Sequence, residues 1–159
     1  MKEKTVVITG ATSGLGRATA LQLAKKDAFV VCVARNNKKA SKVLKEIENE
    51  GGRGQIVISD LSSMKDTKEA AEIICKIVDR LDVLINNAGA HFPNYRITSN
   101  GFESTLALNY LSPFVLTHHL INSMEQTASR FGEARISKVP PRKTNAPINW
   151  EDLNCRNTK

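Results

Sequence analysis

Four short apolar runs separated by helix-length segments dominate the front of this chain, and they leave it few architectures. Thr5-Val6-Val7-Ile8-Thr9 is β-branched throughout and stops at Gly10. Ala28 to Ala34 is apolar without a break, and Gln55 to Ser59 and Asp82 to Asn86 are read as the third and fourth strands. Runs without polar alternation are strands buried on both faces. Between them, Gly14 to Lys26 sets Leu15, Ala18, Leu21 and Leu23/Ala24 on one side of a helix. Asn36 or Asn37 caps a second helix that runs to about Glu50, with Val43, Leu44 and Ile47 facing inward and Gly51-Gly52 ending it. Ser62 or Ser63 opens a third, with Ala70/Ala71, Ile73/Ile74, Ile77/Val78 and Leu81 as its apolar positions. Parallel strands need such crossovers, and these are right-handed. The expected fold is α/β, a doubly wound parallel sheet with strand order 3-2-1-4. A helical pattern resumes from Thr98 to about Ala128, bent or interrupted near Ser112-Pro113. Residues 129 to 159 then become irregular, with Pro140-Pro141 and Pro147. Ala134 to Val139 offers only a weak fifth strand, so the sheet is expected to stop after the fourth or fifth.

Composition narrows the function classes. No apolar run approaches the ~18 residues of a membrane span, and none is expected. Met1-Lys2-Glu3-Lys4 leads straight into the first strand, so no signal peptide is expected. Cys32, Cys75 and Cys155 are scattered and odd in number, as in a reduced, cytoplasmic protein. The formal net charge is +7, but aromatic residues make up only 5% and interleave with no basic stripe, which argues against nucleic acid as a partner. Lys25-Lys26, Lys38-Lys39, Lys42 and Lys45 are read as solvated helix faces and turns. His118-His119 has no third ligand at useful spacing, so no metal is expected.

The turn after the first strand reads Thr9-Gly10-Ala11-Thr12-Ser13-Gly14-Leu15-Gly16. Glycines permit a tight turn and close backbone approach to a pyrophosphate, and the following helix N-terminus offers free N–H groups to that anion. Thr12 and Ser13 can add hydroxyl donors. The spacing is Thr-Gly-x-x-x-Gly-x-Gly, and it resembles the short-chain dehydrogenase/reductase family. Asp60-Leu61 after the third strand, Asn86-Asn87-Ala88-Gly89 after the fourth, and Asn109 within Leu108-Asn109-Tyr110-Leu111 strengthen the resemblance, which covers roughly residues 4 to 128. It implies that residues 1–128 form a Rossmann-like dinucleotide-binding domain, with 129–159 as an irregular tail.

On that resemblance, Gly10, Thr12, Ser13, Gly14, Leu15 and Gly16 cradle the cofactor's phosphates. Asp60 and Leu61 meet the adenine, while Asn87, Ala88 and Gly89 line the adenosine side and brace the sheet against Thr9. Asp60 can equally serve as a helix cap beside Ser62. The end of strand two selects the cofactor, because an NAD site places an acid there for the ribose 2′-hydroxyl. Here the chain reads Val33-Ala34-Arg35-Asn36. Arg35 is a planar cationic fork suited to a 2′-phosphate, so NADP(H) is expected; the alternative is an exposed arginine on a turn.

The resemblance also implies hydride transfer at an alcohol or carbonyl. A tyrosine moves the proton, a lysine four residues on lowers its pKa, a serine orients the substrate oxygen, and an asparagine anchors a water relay. Asn109 takes the asparagine role, or simply bonds neighbouring backbone. The Tyr-x-x-x-Lys pair is absent, since Tyr95 and Tyr110 have Ser99 and Phe114 four residues on. Ser137 lies too early for the serine role, in a run spoiled by Lys138, Pro140 and Pro141. Pro147 to Asn154 resembles the segment that precedes the catalytic tyrosine in the retinol-dehydrogenase-like branch, as do Asn100-Gly101-Phe102-Glu103 and Leu116-Thr117-His118-His119. The chain ends at Lys159 before that tyrosine, as a truncated gene product or a fragment would. His91 either faces the nicotinamide side or occupies a loop. Two functions are therefore expected: an NADP(H)-dependent oxidoreductase of a lipophilic, retinol-like alcohol or carbonyl, or a catalytically incomplete fragment that only binds nucleotide. A homo-oligomer is left open.

Overall fold

The computed structural model describes residues 1–140 and 148–156; Pro141 and Pro147 lie outside the described residues. The elements are β1 (Thr5–Thr9), α1 (Gly14–Ala24), β2 (Phe29–Ala34), α2 (Asn37–Asn49), β3 (Arg53–Ile58), α3 (Met64–Ile77), β4 (Val83–Asn86), α4 (Ser104–Leu106), a π turn (Ala107–Leu111), α5 (Ser112–Phe131) and β5 (Arg135–Lys138). Every strand pair is parallel, in the order β3-β2-β1-β4-β5. The fifth strand forms, and α5 runs past residue 128, so the expected domain boundary falls inside a helix.

Strand pleat divides the core in two. Val6, Ile8, Val30 and Cys32 point to the face covered by α1 and α2, where Ala20, Ala24, Val43 and Ile47 meet them. Val7, Val31, Val33 and Leu84 point to the other face, against Ala71, Ile74, Leu116 and Leu120 of α3 and α5. Both faces of β1 are therefore dry, which is why its sequence shows no alternation. Asn36 caps α2 by accepting from Lys39 N, and Ser63 caps α3 by accepting from Asp66 N.

Two helices differ from expectation. Leu15 and Ala18 are exposed, and α1 instead buries Gly16, Ala20 and Ala24. Its small residues at four-residue spacing let the helix sit close to the sheet, and this displaces Leu15 outward. The long helix begins at Ser104 rather than Thr98, because residues 97–103 form a turn closed by the Ile97–Glu103 bridge, with Gly101 at φ +79°. Its interruption is the π turn, just before Pro113. Proline has no N–H to give the Asn109 carbonyl, so the ordinary helical register cannot hold there. The segment 148–156 docks on the same region: Asn154 accepts from Glu103 N and donates to Gly101 O. No helix among the described residues is long and apolar enough to cross a membrane.

Asp82 fastens the opposite end of the sheet. Its buried carboxylate accepts from Thr5 N at 2.8 Å and from the Arg80 guanidinium at 2.6–2.9 Å, and that guanidinium lies 3.9 Å over the Phe131 ring. Asp82→Ala should lower unfolding free energy in urea by about 3 kcal/mol, because it strands a partly buried cation and a backbone donor. Asp82→Asn keeps an acceptor for Thr5 N and should cost clearly less.

Candidate functional site

The strands' C-terminal ends open into a cleft of about 460 Å³, where the sheet order reverses between β1 and β4. In open α/β sheets ligands bind at this switch point. The β1–α1 turn contributes Gly10, Thr12, Ser13, Leu15 and Gly16 to the cleft. The end of β2 and the start of α2 contribute Val33 to Asn36 and Lys39. The stretch after β3 contributes Ser59 to Ser62, and that after β4 Asn87 to Ala90 and Phe92, with Leu108 closing the rim.

The turn is held by one hydroxyl. Thr9 Oγ1 accepts from Asn87 N at 3.0 Å and from Ala88 N at 2.9 Å, while Asn87 Nδ2 donates to Thr9 O at 2.9 Å. Gly10 N donates to Val33 O at 2.9 Å. Neighbouring backbone requires two of the glycines. A Cβ on Gly10 would stand 2.9 Å from Ala88 Cα, and one on Gly16 would stand 2.4 Å from Asn87 Nδ2 and 2.5 Å from Gly10 O. Gly14 departs from expectation. It does not line the cleft, and a Cβ there would meet nothing within 4 Å. What requires glycine there is φ +52°, a left-handed conformation that side chains disfavour. Ser13 stands at the N-cap of α1 without a side-chain capping bond and lines the cleft with Leu15 and Gly16 of the first turn.

Arg35 lines the cleft at the end of β2, is exposed, and has no ion pair among the described residues. Arg17, by contrast, is committed to Glu46 at 2.6–2.9 Å. Asp60 holds Ser62 through one oxygen, Oδ1, which accepts from Ser62 N at 3.0 Å and Ser62 Oγ at 2.8 Å. The α3 cap is Ser63, so Asp60 shapes the turn before that helix while its carboxylate borders the cleft. Leu61 is buried and joins the cleft floor to the core.

Asn109 does not line the cleft. Midway through the π turn, it donates to Ala90 O at 2.9 Å and accepts from Ala90 N at 3.0 Å, clasping the loop after β4. Its side chain thus bonds backbone nineteen residues away along the chain. His91 is exposed and does not line the cleft, while Ala90 and Phe92 border it. His118 stacks on Phe114 and meets His119 edge-on. Neither tyrosine lines the cleft, and Lys138 Nζ lies 5.3 Å over the Tyr110 ring in a cation–π contact. Ser137 sits on exposed β5. Burial pushes the Cys32 thiol up to about 12, which leaves it unreactive. Lys39, Asn36 and Leu108 were not anticipated as cleft residues. The Asn36 cap gives the signal for Lys39, which falls three residues later in the first turn of α2.

Residues 4–134 match the family model described as short chain dehydrogenase. The chain belongs to the short chain dehydrogenase family. Its retinol-dehydrogenase-like character shows in Retinol dehydrogenase 14 of Mus musculus, 36% identical over 97% of this chain and 49% of that protein. A metagenomic short-chain oxidoreductase in complex with NADP superposes with a TM-score of 0.79 at 26% identity, covering 92% of this chain and 66% of the other. An NADH-dependent reductase complexed with NAD superposes at 0.74 with 26% identity, over 86% and 59%. The chain spans about half, or less, of the length of the curated relatives it matches.

The Thr9 hydroxyl is the testable centre of this geometry. Thr9→Val keeps the shape but leaves the Asn87 and Ala88 N–H groups without an acceptor. It should lower stability by about 3 kcal/mol in urea unfolding, whereas Thr9→Ser should stay near the parent.

Proposed function

We propose that this chain forms the NADP(H)-holding half of an oxidoreductase that interconverts an alcohol and a carbonyl on a lipophilic, retinol-like small molecule. The observation that carries the reading is the end of β2, where Arg35 borders the cleft and no carboxylate stands to meet a 2′-hydroxyl or repel a 2′-phosphate. Since relatives of this fold hold NADP in one case and NAD in another, this position rather than the fold decides the cofactor. When bound, the nicotinamide supplies or accepts the hydride.

The chain's own residues bind and orient. Gly10 and Gly16 leave the backbone bare for the pyrophosphate, with Ser13, Thr12 and the α1 N-terminus as donors. The free side of Asp60 and the apolar Leu61 receive the adenine, and Asn87, Ala88 and Gly89 wall the adenosine. Asn109 is a positioning residue, which fixes the rim through Ala90. Its water relay to a lysine is part of the proposal for the whole enzyme. The free thiols Cys32, Cys75 and Cys155 suit a cytoplasmic setting.

A second reading concerns these 159 residues alone, which bind nucleotide without turnover. It is favoured because Tyr95 and Tyr110 are the only tyrosines, lack the partner lysine and stand outside the cleft. Loss of a positioned general acid costs about 10²–10⁴ in rate.

Calorimetric titration with both cofactors should show tighter binding of NADPH than of NADH. Arg35→Ala should weaken NADPH by roughly 1.5–3 kcal/mol and leave NADH nearly unchanged; equal affinities in the parent would overturn the cofactor reading. The chain alone should give no measurable NADPH-dependent reduction of retinal or simple aldehydes. Robust turnover would show a proton donor elsewhere in the chain.

A further inference from the structure

Three asparagine side chains tie the stretch from 97 to 109 to distant parts of the molecule. Asn100 Oδ1 accepts from Met64 N at 3.1 Å, at the first residue of α3. Asn109, on the π turn that follows the Glu103-capped α4, clasps Ala90. Asn154 reaches in from the 148–156 segment, accepting from Glu103 N at 3.0 Å and donating to Gly101 O at 3.4 Å. These links span 36, 19 and 51 residues of chain, so none is a local turn. A carboxamide suits the task, because it carries donor and acceptor on a short, uncharged stem. Two of the links end at the cleft. Met64 follows the turn in which Asp60 Oδ1 accepts from Ser62 N and Ser62 Oγ, and Asp60 O from Ser63 N. Asp60, Ser62 and Ala90 all line the cleft. The third link ends at a segment that keeps its own shape: Asn149 Oδ1 accepts from Glu151 N at 3.1 Å, and Asp152 Oδ1 from Arg156 N at 2.8 Å. Residues 148–156 are exposed or half-buried, so little apolar burial backs the Asn154 carboxamide. Segments held this way open at low free energy. Glu103 is buried, so its N–H needs that acceptor.

We propose that this stretch couples the two, so that nucleotide in the cleft tightens the docking of residues 148–156, with Asn100 and Asn154 as positioning residues. The proposal rests on the nucleotide reading of the cleft and goes beyond it. A ligand that contacts Asp60 and Ser62 orders the turn leading into Met64. Met64 N then presents a fixed donor to Asn100, and the turn that carries Asn100 also carries both partners of Asn154. Freedom lost at one end need not be lost again at the other, which lets two sites cooperate without a large movement. Such coupling is reciprocal: the docked segment raises nucleotide affinity by the factor by which nucleotide favours docking.

The test uses the whole 159-residue chain, with NADP⁺ as the probe, and reads hydrogen exchange at the Glu103 amide beside calorimetric affinity. Saturating NADP⁺ should slow exchange of that N–H about fivefold, the lower end of ordinary coupling. Asn154→Ala should speed the exchange in the free protein, remove the nucleotide effect and weaken NADP⁺ by the same factor. Asn100→Ala should leave the free protein's Glu103 exchange near the parent value yet remove the nucleotide effect. Exchange of the β1 amides should match the parent in both variants, which separates lost coupling from lost folding; the parent measurement itself needs no substitution. If NADP⁺ binds the parent and leaves Glu103 exchange unchanged, or if either variant responds to NADP⁺ as the parent does, the segment docks independently and this proposal fails with the cofactor reading intact. Failure of the parent to bind either NADP⁺ or NAD⁺ would overturn both.

Discussion

Everything at the cleft end of the sheet hangs on the joint between β1 and β4. Parallel strands diverge at their C-terminal ends once helices leave on opposite faces, and divergence is what makes a crevice. It also leaves backbone N–H groups without ladder partners. Thr9 resolves this with a side chain: its hydroxyl takes both donors of the β4 exit, and Asn87 returns a bond to the β1 carbonyl. The crevice is thus held open at a fixed width by three hydrogen bonds. The glycines beside it are required by that closeness, since Gly10 lies against the Ala88 backbone and Gly16 against the Asn87 side chain and the Gly10 backbone.

The cleft's electrostatics are built by omission as much as by placement. Its rim holds two cations and one carboxylate, and that carboxylate is half committed to Ser62. Glu46 neutralises Arg17 on the helices behind the loop, and Asp82 neutralises Arg80 at the far end of the sheet. The cleft mouth therefore carries a local excess of positive charge where an anion would arrive.

What sequence revealed follows from how local each signal is. Continuous apolar runs give β1 and β2 because burial on both faces leaves no room for polar residues. Asn36 and Ser63 are legible as caps because they act within three residues of themselves. The β1–α1 loop is legible because glycine spacing is a backbone demand. The apolar face of α1 was not, since a helix rich in alanine, leucine and glycine packs by its smallest residues, and hydrophobicity alone points to Leu15 instead of Gly16. Asn109 was seen but half understood, because its partner, Ala90, is distant in the chain and the π turn that aims it has no compositional mark beyond Pro113. Lys39 was hidden among the lysines of a solvated helix. Only its position relative to the cap separates it from Lys42 and Lys45.

The outermost strand has a consequence for how the protein behaves in a crowded solution. All four residues of β5 are exposed, and among the described residues the strand pairs only with β4, which leaves its other side open. Such an open edge is a template on which another strand can zip. An antiparallel self-match of Arg135-Ile136-Ser137-Lys138 would set arginine against lysine at each end, so mutual repulsion acts as a gatekeeper against sticking. That guard is ionic and therefore fades as the Debye length shrinks, from about 10 Å at 0.1 M salt to 3 Å at 1 M. For the residues described, pairing at this edge is thus tied to ionic strength, and high salt is the condition that weakens its guard.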